Sequence, residues 1–171
     1  MEKAWILVGM MGSGKSSVGR RVAELSGREF RDTDFLLSHK IGRSIRQIFE
    51  LYGESSFRDF ETGLLRDLQP APIVLATGGG IVVRDENWTE LERIGMTVYL
   101  RASSDILQQR LTISKNKRPL LQSEDWEAKL ASLLEGRVSQ YEKAQFTVSV
   151  EGKDIEAVAT EVFELMQEEC P

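Results

Sequence analysis

Residues 9–16 read Gly-Met-Met-Gly-Ser-Gly-Lys-Ser, which satisfies G-x-x-x-x-G-K-[ST] through Gly9, Gly14, Lys15 and Ser16. Each part has a physical purpose. Glycines let successive backbone N–H groups turn inward on a polyphosphate without β-carbon clashes. The helix that follows adds the positive end of its dipole. Lys15 supplies charge for the β- and γ-phosphates, and Ser16 a hydroxyl for Mg²⁺. Such a loop needs a strand before it and a helix after it, and both patterns flank it: the apolar run Trp5–Val8 and the amphipathic segment Lys15–Leu25. The expected nucleotide contacts are Gly12, Ser13, Gly14, Lys15, Ser16 and Ser17.

The rest of the chain repeats this alternation. Short runs rich in β-branched or aromatic residues occur at Ile73–Ala76, Met96–Leu100 and Phe146–Val150, with a weaker fifth strand at Glu29–Asp32. Between them lie helical patterns at 35–41, Ser44–Leu68 with a break near Gly53, Glu86–Ile94, Ser104–Ile113, Trp126–Lys143 and Asp154–Glu168. Ser44-x-x-Gln47 reads as a capping box. The spacing predicts an α/β protein, a parallel sheet between two layers of helices, in one domain spanning 1–171.

The net charge of −5 argues against nucleic acid or an anionic membrane as partner, so an anionic substrate requires a local cationic pocket. The apolar run at 4–8 is too short for a membrane span, and the single cysteine, Cys170, permits no intrachain disulfide. A cytoplasmic monomer acting on small molecules is expected.

Four further constellations carry candidate chemistry. Asp32 and Asp34 sit at i and i+2 at the end of the second strand, where extended backbone points both the same way. One suits Mg²⁺ and the other a substrate hydroxyl proton. An N-cap and turn pair explains the same residues without chemistry. Glu61 falls on the apolar stripe Phe57, Phe60, Leu64, Leu68 and requires a partner there. Arg58, three residues earlier, is that partner and a bidentate grip for an anionic substrate, or else half of a surface ion pair. Thr77-Gly78-Gly79-Gly80 follows a strand directly, which allows a ligand to approach backbone closely. Residues 110–118 carry Arg110, Lys115, Lys117 and Arg118 without an acid, a lid for phosphate or a solvated loop. Arg137 and Tyr141 lie one helical turn apart, and Arg137 is a second clamp or only a surface charge. His39 is assigned no chemistry, and Trp5, Trp88 and Trp126 are read as packing residues.

The order of these pieces resembles the shikimate kinase family, within the nucleoside-monophosphate-kinase-like P-loop group, over roughly residues 5–143. The combination carries the resemblance: Gly9–Ser16, Asp32-Thr-Asp34, Gly53-Glu54-Ser-Ser-Phe57-Arg58 with Glu61, Gly78-Gly79-Gly80, Arg118-Pro119-Leu120-Leu121 and Arg137-x-x-x-Tyr141. The resemblance implies a three-layer α/β/α P-loop fold with five parallel strands in the order 2-3-1-4-5, substrate-binding helices at about 33–61 and a lid at about 112–124. It implies transfer of the ATP γ-phosphoryl group to the 3-hydroxyl of shikimate, with Mg²⁺, in aromatic amino acid biosynthesis. By position, Arg58 and Arg137 bind the shikimate carboxylate, and Asp34 and Gly80 its hydroxyls, with Gly79 in the pocket wall. Asp34 is the candidate base, Asp32 and Ser16 serve Mg²⁺, Lys15 and Arg118 the transferring phosphate, and Arg110 lies against adenine. A gluconate-type or nucleotide kinase on the same fold is the nearest rival. A GTPase-like switch is disfavoured because Asn116-Lys117-Arg118-Pro119 lacks the aspartate of a guanine-selecting Asn-Lys-x-Asp.

Overall fold

A computed structural model describes residues 3–113 and 123–169. The expected lid therefore falls largely outside the described residues, and with it Lys115, Lys117 and Arg118. So does Cys170.

The first strand, β1 (Ala4–Val8), is buried at every position, as a central strand covered on both faces must be. It feeds the glycine loop, and α1 (Lys15–Ser26) starts at Gly14, whose φ of 97° only glycine adopts without strain. The edge strand β2 (Glu29–Asp32) is partly exposed, which explains its weak sequence signal. Then come α2 (Thr33–Ile41) and α3 (Ile45–Asp67). The capping box of α3 is present: Ser44 Oγ accepts from Gln47 N at 3.2 Å, and Ser44 N donates to Gln47 Oε1 at 3.0 Å. Gly53, at φ 80° and ψ 172°, interrupts α3 where the break is expected.

The chain continues through β3 (Ile73–Ala76), one 3₁₀ turn (Ile81–Val83), α4 (Asp85–Ile94), β4 (Gly95–Arg101) and α5 (Ser104–Ile113). It ends with α6 (Trp126–Tyr141), β5 (Phe146–Ser149) and α7 (Ile155–Glu169). The five strands pair in parallel in the order β2-β3-β1-β4-β5. That is the order the resemblance implies.

Two apolar clusters organise the packing. The larger lies about the sheet and includes Ile6, Leu75, Val98, Tyr99 and Val148, with Trp5, Trp88 and Trp126 buried in it as expected. The smaller, Leu37, Ile48, Phe57 and Leu64, joins α2 to α3. The stripe read on α3 thus faces its own small core, and Arg58 and Glu61 ride on the helix that this core fixes. Because all strands run in parallel, their C-terminal ends lie on one edge. That edge carries the loop after β1, Asp32 at the end of β2 and the glycine triplet after β3. Among the described residues no helix is long and apolar enough to cross a membrane.

Candidate active site

The loop after β1 uses three glycines with positive φ: Gly9 (152°), Gly12 (82°) and Gly14 (97°). The Lys15 ammonium, 8% exposed, donates to the carbonyls of Gly9 at 2.7 Å and Met10 at 2.9 Å. The lysine is thereby held at the mouth of its own loop. Ser13 Oγ is buried in the loop without a hydrogen-bond partner among the described residues. Ser17 is exposed on the first turn of α1. Arg110 reaches across from α5, its Nη1 donating to the carbonyls of Ser13 at 3.0 Å and Gly12 at 3.4 Å. The structure therefore brings Arg110 to the phosphate loop.

The two aspartates are arranged differently from the extended-strand expectation. The strand ends at Asp32, and Asp34 already lies in the first turn of α2, which begins at Thr33. Asp32 is the N-cap: its Oδ1 accepts from the backbone N of Asp34 at 2.9 Å and of Phe35 at 3.3 Å. Its other oxygen accepts from Ser16 Oγ at 2.8 Å. The capping reading is borne out, and the same carboxylate divides its oxygens: Oδ1 serves the helix and Oδ2 faces Ser16 of the phosphate loop. The cap also aims Asp34 by fixing the turn that carries it.

The glycine triplet is where the pieces meet. A β-carbon on Gly78 would lie 2.7 Å from Asp34 Oδ1 and 3.1 Å from Glu61 Oε1. One on Gly80 would fall inside the Arg58 guanidinium. The missing side chains are the space that the acid and the arginine occupy. Arg58 Nη1 donates to Glu61 Oε2 at 2.6 Å, with Glu61 1% exposed. The sequence-level pairing of these two residues is therefore a buried ion pair, not a surface one. Arg58 Nε and Glu61 Oε1 remain buried without hydrogen-bond partners among the described residues. Polar atoms left unsatisfied at such depth are costly unless a ligand satisfies them. Arg137 on α6 adds a second cation, whose charge also favours the ionised form of Glu61.

Burial dominates the titration of Glu61 and pushes its pKa from 4.5 up to about 7, against the opposing pull of Arg58. Between those two values the folded chain holds a proton that the unfolded chain has released. The stability this proton contributes is full below pH 4.5 and is lost as pH rises through about 7. Glu61→Gln, a mimic of the protonated acid, is expected to match the parent near pH 5. Above pH 7 it is expected to be the more stable, by on the order of 3 kcal/mol. Urea melts at pH 5 and pH 8 check this; a stability difference independent of pH refutes it.

Thr33, Thr62 and Asn87 gave no sequence signal of their own, and Tyr141 was marked only by its motif with Arg137, not by any partner. Thr33 Oγ1 accepts from the backbone N of Gly78 at 2.9 Å, tying the start of α2 to the triplet. Thr62 Oγ1 lies 2.9 Å from Asn87 Oδ1, and Asn87 Nδ2 donates to the carbonyl of Ile81 at 2.7 Å, so a buried polar link joins α3 to the turn after the triplet. Tyr141 donates to the carbonyl of Gly79 at 2.5 Å. Small buried polar residues have no spacing of their own, and only their long-range partners reveal them.

A five-stranded parallel sheet with a phosphate loop, an acid pair and a cationic pocket at one edge defines a P-loop kinase of small molecules. Comparison with known proteins makes the assignment specific. The shikimate kinase family model matches residues 11–167. The chain is 42% identical over 158 residues to the shikimate kinase of Thermodesulfovibrio yellowstonii, covering 92% of this chain and 91% of that one. It is 48% identical over 145 residues to that of Burkholderia thailandensis, covering 84% and 78%. The solved structure of the shikimate kinase from Acinetobacter baumannii in complex with shikimate superposes with a TM-score of 0.91 at 39% identity, covering 99% of this chain and 95% of that one. The chain belongs to the shikimate kinase family.

Proposed function

We propose that the chain transfers the γ-phosphoryl group of ATP to the 3-hydroxyl of shikimate, giving shikimate 3-phosphate and ADP. The observation that carries this reading is the buried Arg58–Glu61 pair, with Arg58 Nε and Glu61 Oε1 unpartnered, against the glycine triplet and beside Asp34. A desolvated guanidinium suits a carboxylate, and an adjacent acid suits a hydroxyl.

In this reading Arg58 and Arg137 hold the acceptor carboxylate, and Asp34 and the Gly79–Gly80 backbone hold its hydroxyls. Asp34 accepts the proton of the attacking 3-hydroxyl as the new oxygen–phosphorus bond forms and the bond between the γ-phosphorus and the bridging oxygen breaks, leaving ADP. Lys15 and Arg118 neutralise charge on the transferring group. Arg110, already at the phosphate loop, closes over the nucleotide side, with residues 112–124 as the lid and 33–61 as the acceptor-binding helices.

Among the described residues no group of three or more His, Cys, Asp or Glu side chains could hold a metal ion. Mg²⁺ does not need one, since in such sites it takes one or two protein oxygens and completes its shell with phosphate and water. The Ser16 hydroxyl and Asp32 carboxylate, 2.8 Å apart, fit that role. When bound there, Mg²⁺ neutralises phosphate charge. We read the protein as a cytoplasmic monomer in aromatic amino acid biosynthesis, with two small-molecule substrates and neither nucleic acid nor membrane as partner.

The test is ADP release from MgATP with and without shikimate. Shikimate-dependent turnover is expected. Turnover with gluconate or a nucleoside monophosphate in its place, and none with shikimate, would reassign the acceptor.

A further inference from the structure

The glycine triplet removes steric bulk and leaves a soft peptide behind. Gly80 has no room for a side chain because Arg58 fills the β-carbon position, and a β-carbon on Gly79 would lie 3.1 Å from the backbone N of Met11. The peptide between two glycines is the one most free to rotate. A trans peptide points its C=O and N–H in opposite senses, so whatever fixes the Gly79 carbonyl also fixes the direction of the Gly80 N–H.

Tyr141 is built to do this. Its hydroxyl donates to the Gly79 carbonyl at 2.5 Å. The side chain is fully buried, and its ring is stacked on Tyr99 with centroids 5.1 Å apart at 17°. The hydroxyl is therefore a fixed point. Burial raises its pKa to about 12, so it keeps the proton it donates. Met10 Sδ lies 3.5 Å from the hydroxyl and 3.9 Å from Arg137 Nη1, which sets the anchor beside the phosphate loop and the second cationic clamp. Tyr141 and Arg137 belong to the same helix, one turn apart.

We infer that Tyr141 is a positioning residue for the acceptor: by holding the Gly79 carbonyl against the core, it turns the Gly80 N–H outward to the acceptor hydroxyls. This rests on the reading of the triplet as the wall of the shikimate pocket. Without the hydroxyl the peptide samples both orientations, and apparent affinity falls with the competent fraction. The Gly80 contact is made in ground and transition states alike, so its loss appears in KM and not in kcat.

Tyr141→Phe keeps the ring stacked on Tyr99 and deletes only the donor. The expected result is a rise of about tenfold in KM for shikimate, equivalent to 1.4 kcal/mol. The KM for MgATP and kcat at saturating shikimate are expected to stay within about twofold. A purely structural role would instead lower Tm and the active fraction, reducing apparent kcat with both KM values unchanged, and that pattern overturns the inference. An unchanged KM for shikimate in a variant whose parent turns shikimate over also overturns it, alone. A parent with no shikimate-dependent ADP release overturns the pocket reading and this inference together.

Discussion

Asp34→Asn is expected to lower kcat with shikimate by about 10²–10⁴-fold, the usual contribution of a general base, while the KM for MgATP stays unchanged. Asparagine keeps the volume and one acceptor oxygen, exchanges the other for an NH2 donor, and cannot serve as the base. The geometry supports a large effect. The Asp34 carboxylate lies against Gly78 at the C-terminal end of β3, with Oδ1 2.7 Å from where a β-carbon would stand, and the Asp32 cap fixes the turn that presents it. Its neighbour Glu61 is raised to about 7 by burial first and by the Asp34 charge to a smaller extent, and both carboxyls lie against Gly78. Steady-state kinetics separate two roles. A fall in kcat identifies the base; a rise in the KM for shikimate with kcat intact reduces Asp34 to a hydroxyl-binding group.

The second large effect is expected from Arg58→Ala. Removing one partner of a buried charge pair at a binding site costs about 2–5 kcal/mol, or roughly 30- to several-thousand-fold in kcat/KM for shikimate. Glu61 would lose its strongest stabilising neighbour and take up a proton at neutral pH, which limits the accompanying loss of fold stability. The acceptor then suffers more than the fold. Arg58→Lys restores charge without the planar fork and is expected to recover only part of the loss. Unchanged shikimate kinetics in a folded Arg58→Ala variant would remove the arginine from the site.

The Glu61→Gln prediction connects these two. A carboxylate kept ionised at depth weakens the fold near neutral pH, and its neutral mimic is expected to be more stable. Once ionised, the acid pairs with Arg58, so the arrangement gives up stability above about pH 7 to hold the guanidinium in place.

Local chemistry was legible from the chain alone. The phosphate loop is a contiguous motif whose glycines answer to backbone angles, and Gly9, Gly12 and Gly14 do adopt positive φ. The pairing of Arg58 with Glu61 follows from i, i+3 spacing on an apolar stripe, and the capping box of α3 from Ser44 and Gln47. The Asp32–Asp34 pair was legible in residue type but not in geometry, since extended backbone and a helix start compete at that position and the N-cap hydrogen bonds favour the helix.

The sequence by itself thus determined the strand–helix alternation, the phosphate loop, the Arg58–Glu61 pairing and, through the combined motifs, the family. Each depends on interactions between residues close in the chain or on backbone angles that few residue types allow. Only the tertiary structure decided that Asp34, Glu61 and Arg58 fill the missing side chains of Gly78 and Gly80, that Arg110 reaches the carbonyls of Gly12 and Ser13, and that Tyr141 holds Gly79 from 62 residues away. These contacts join separate strands and helices. Their partners are chosen by the parallel register of the sheet and the packing of α3, α5 and α6 at its edge, which no local spacing encodes.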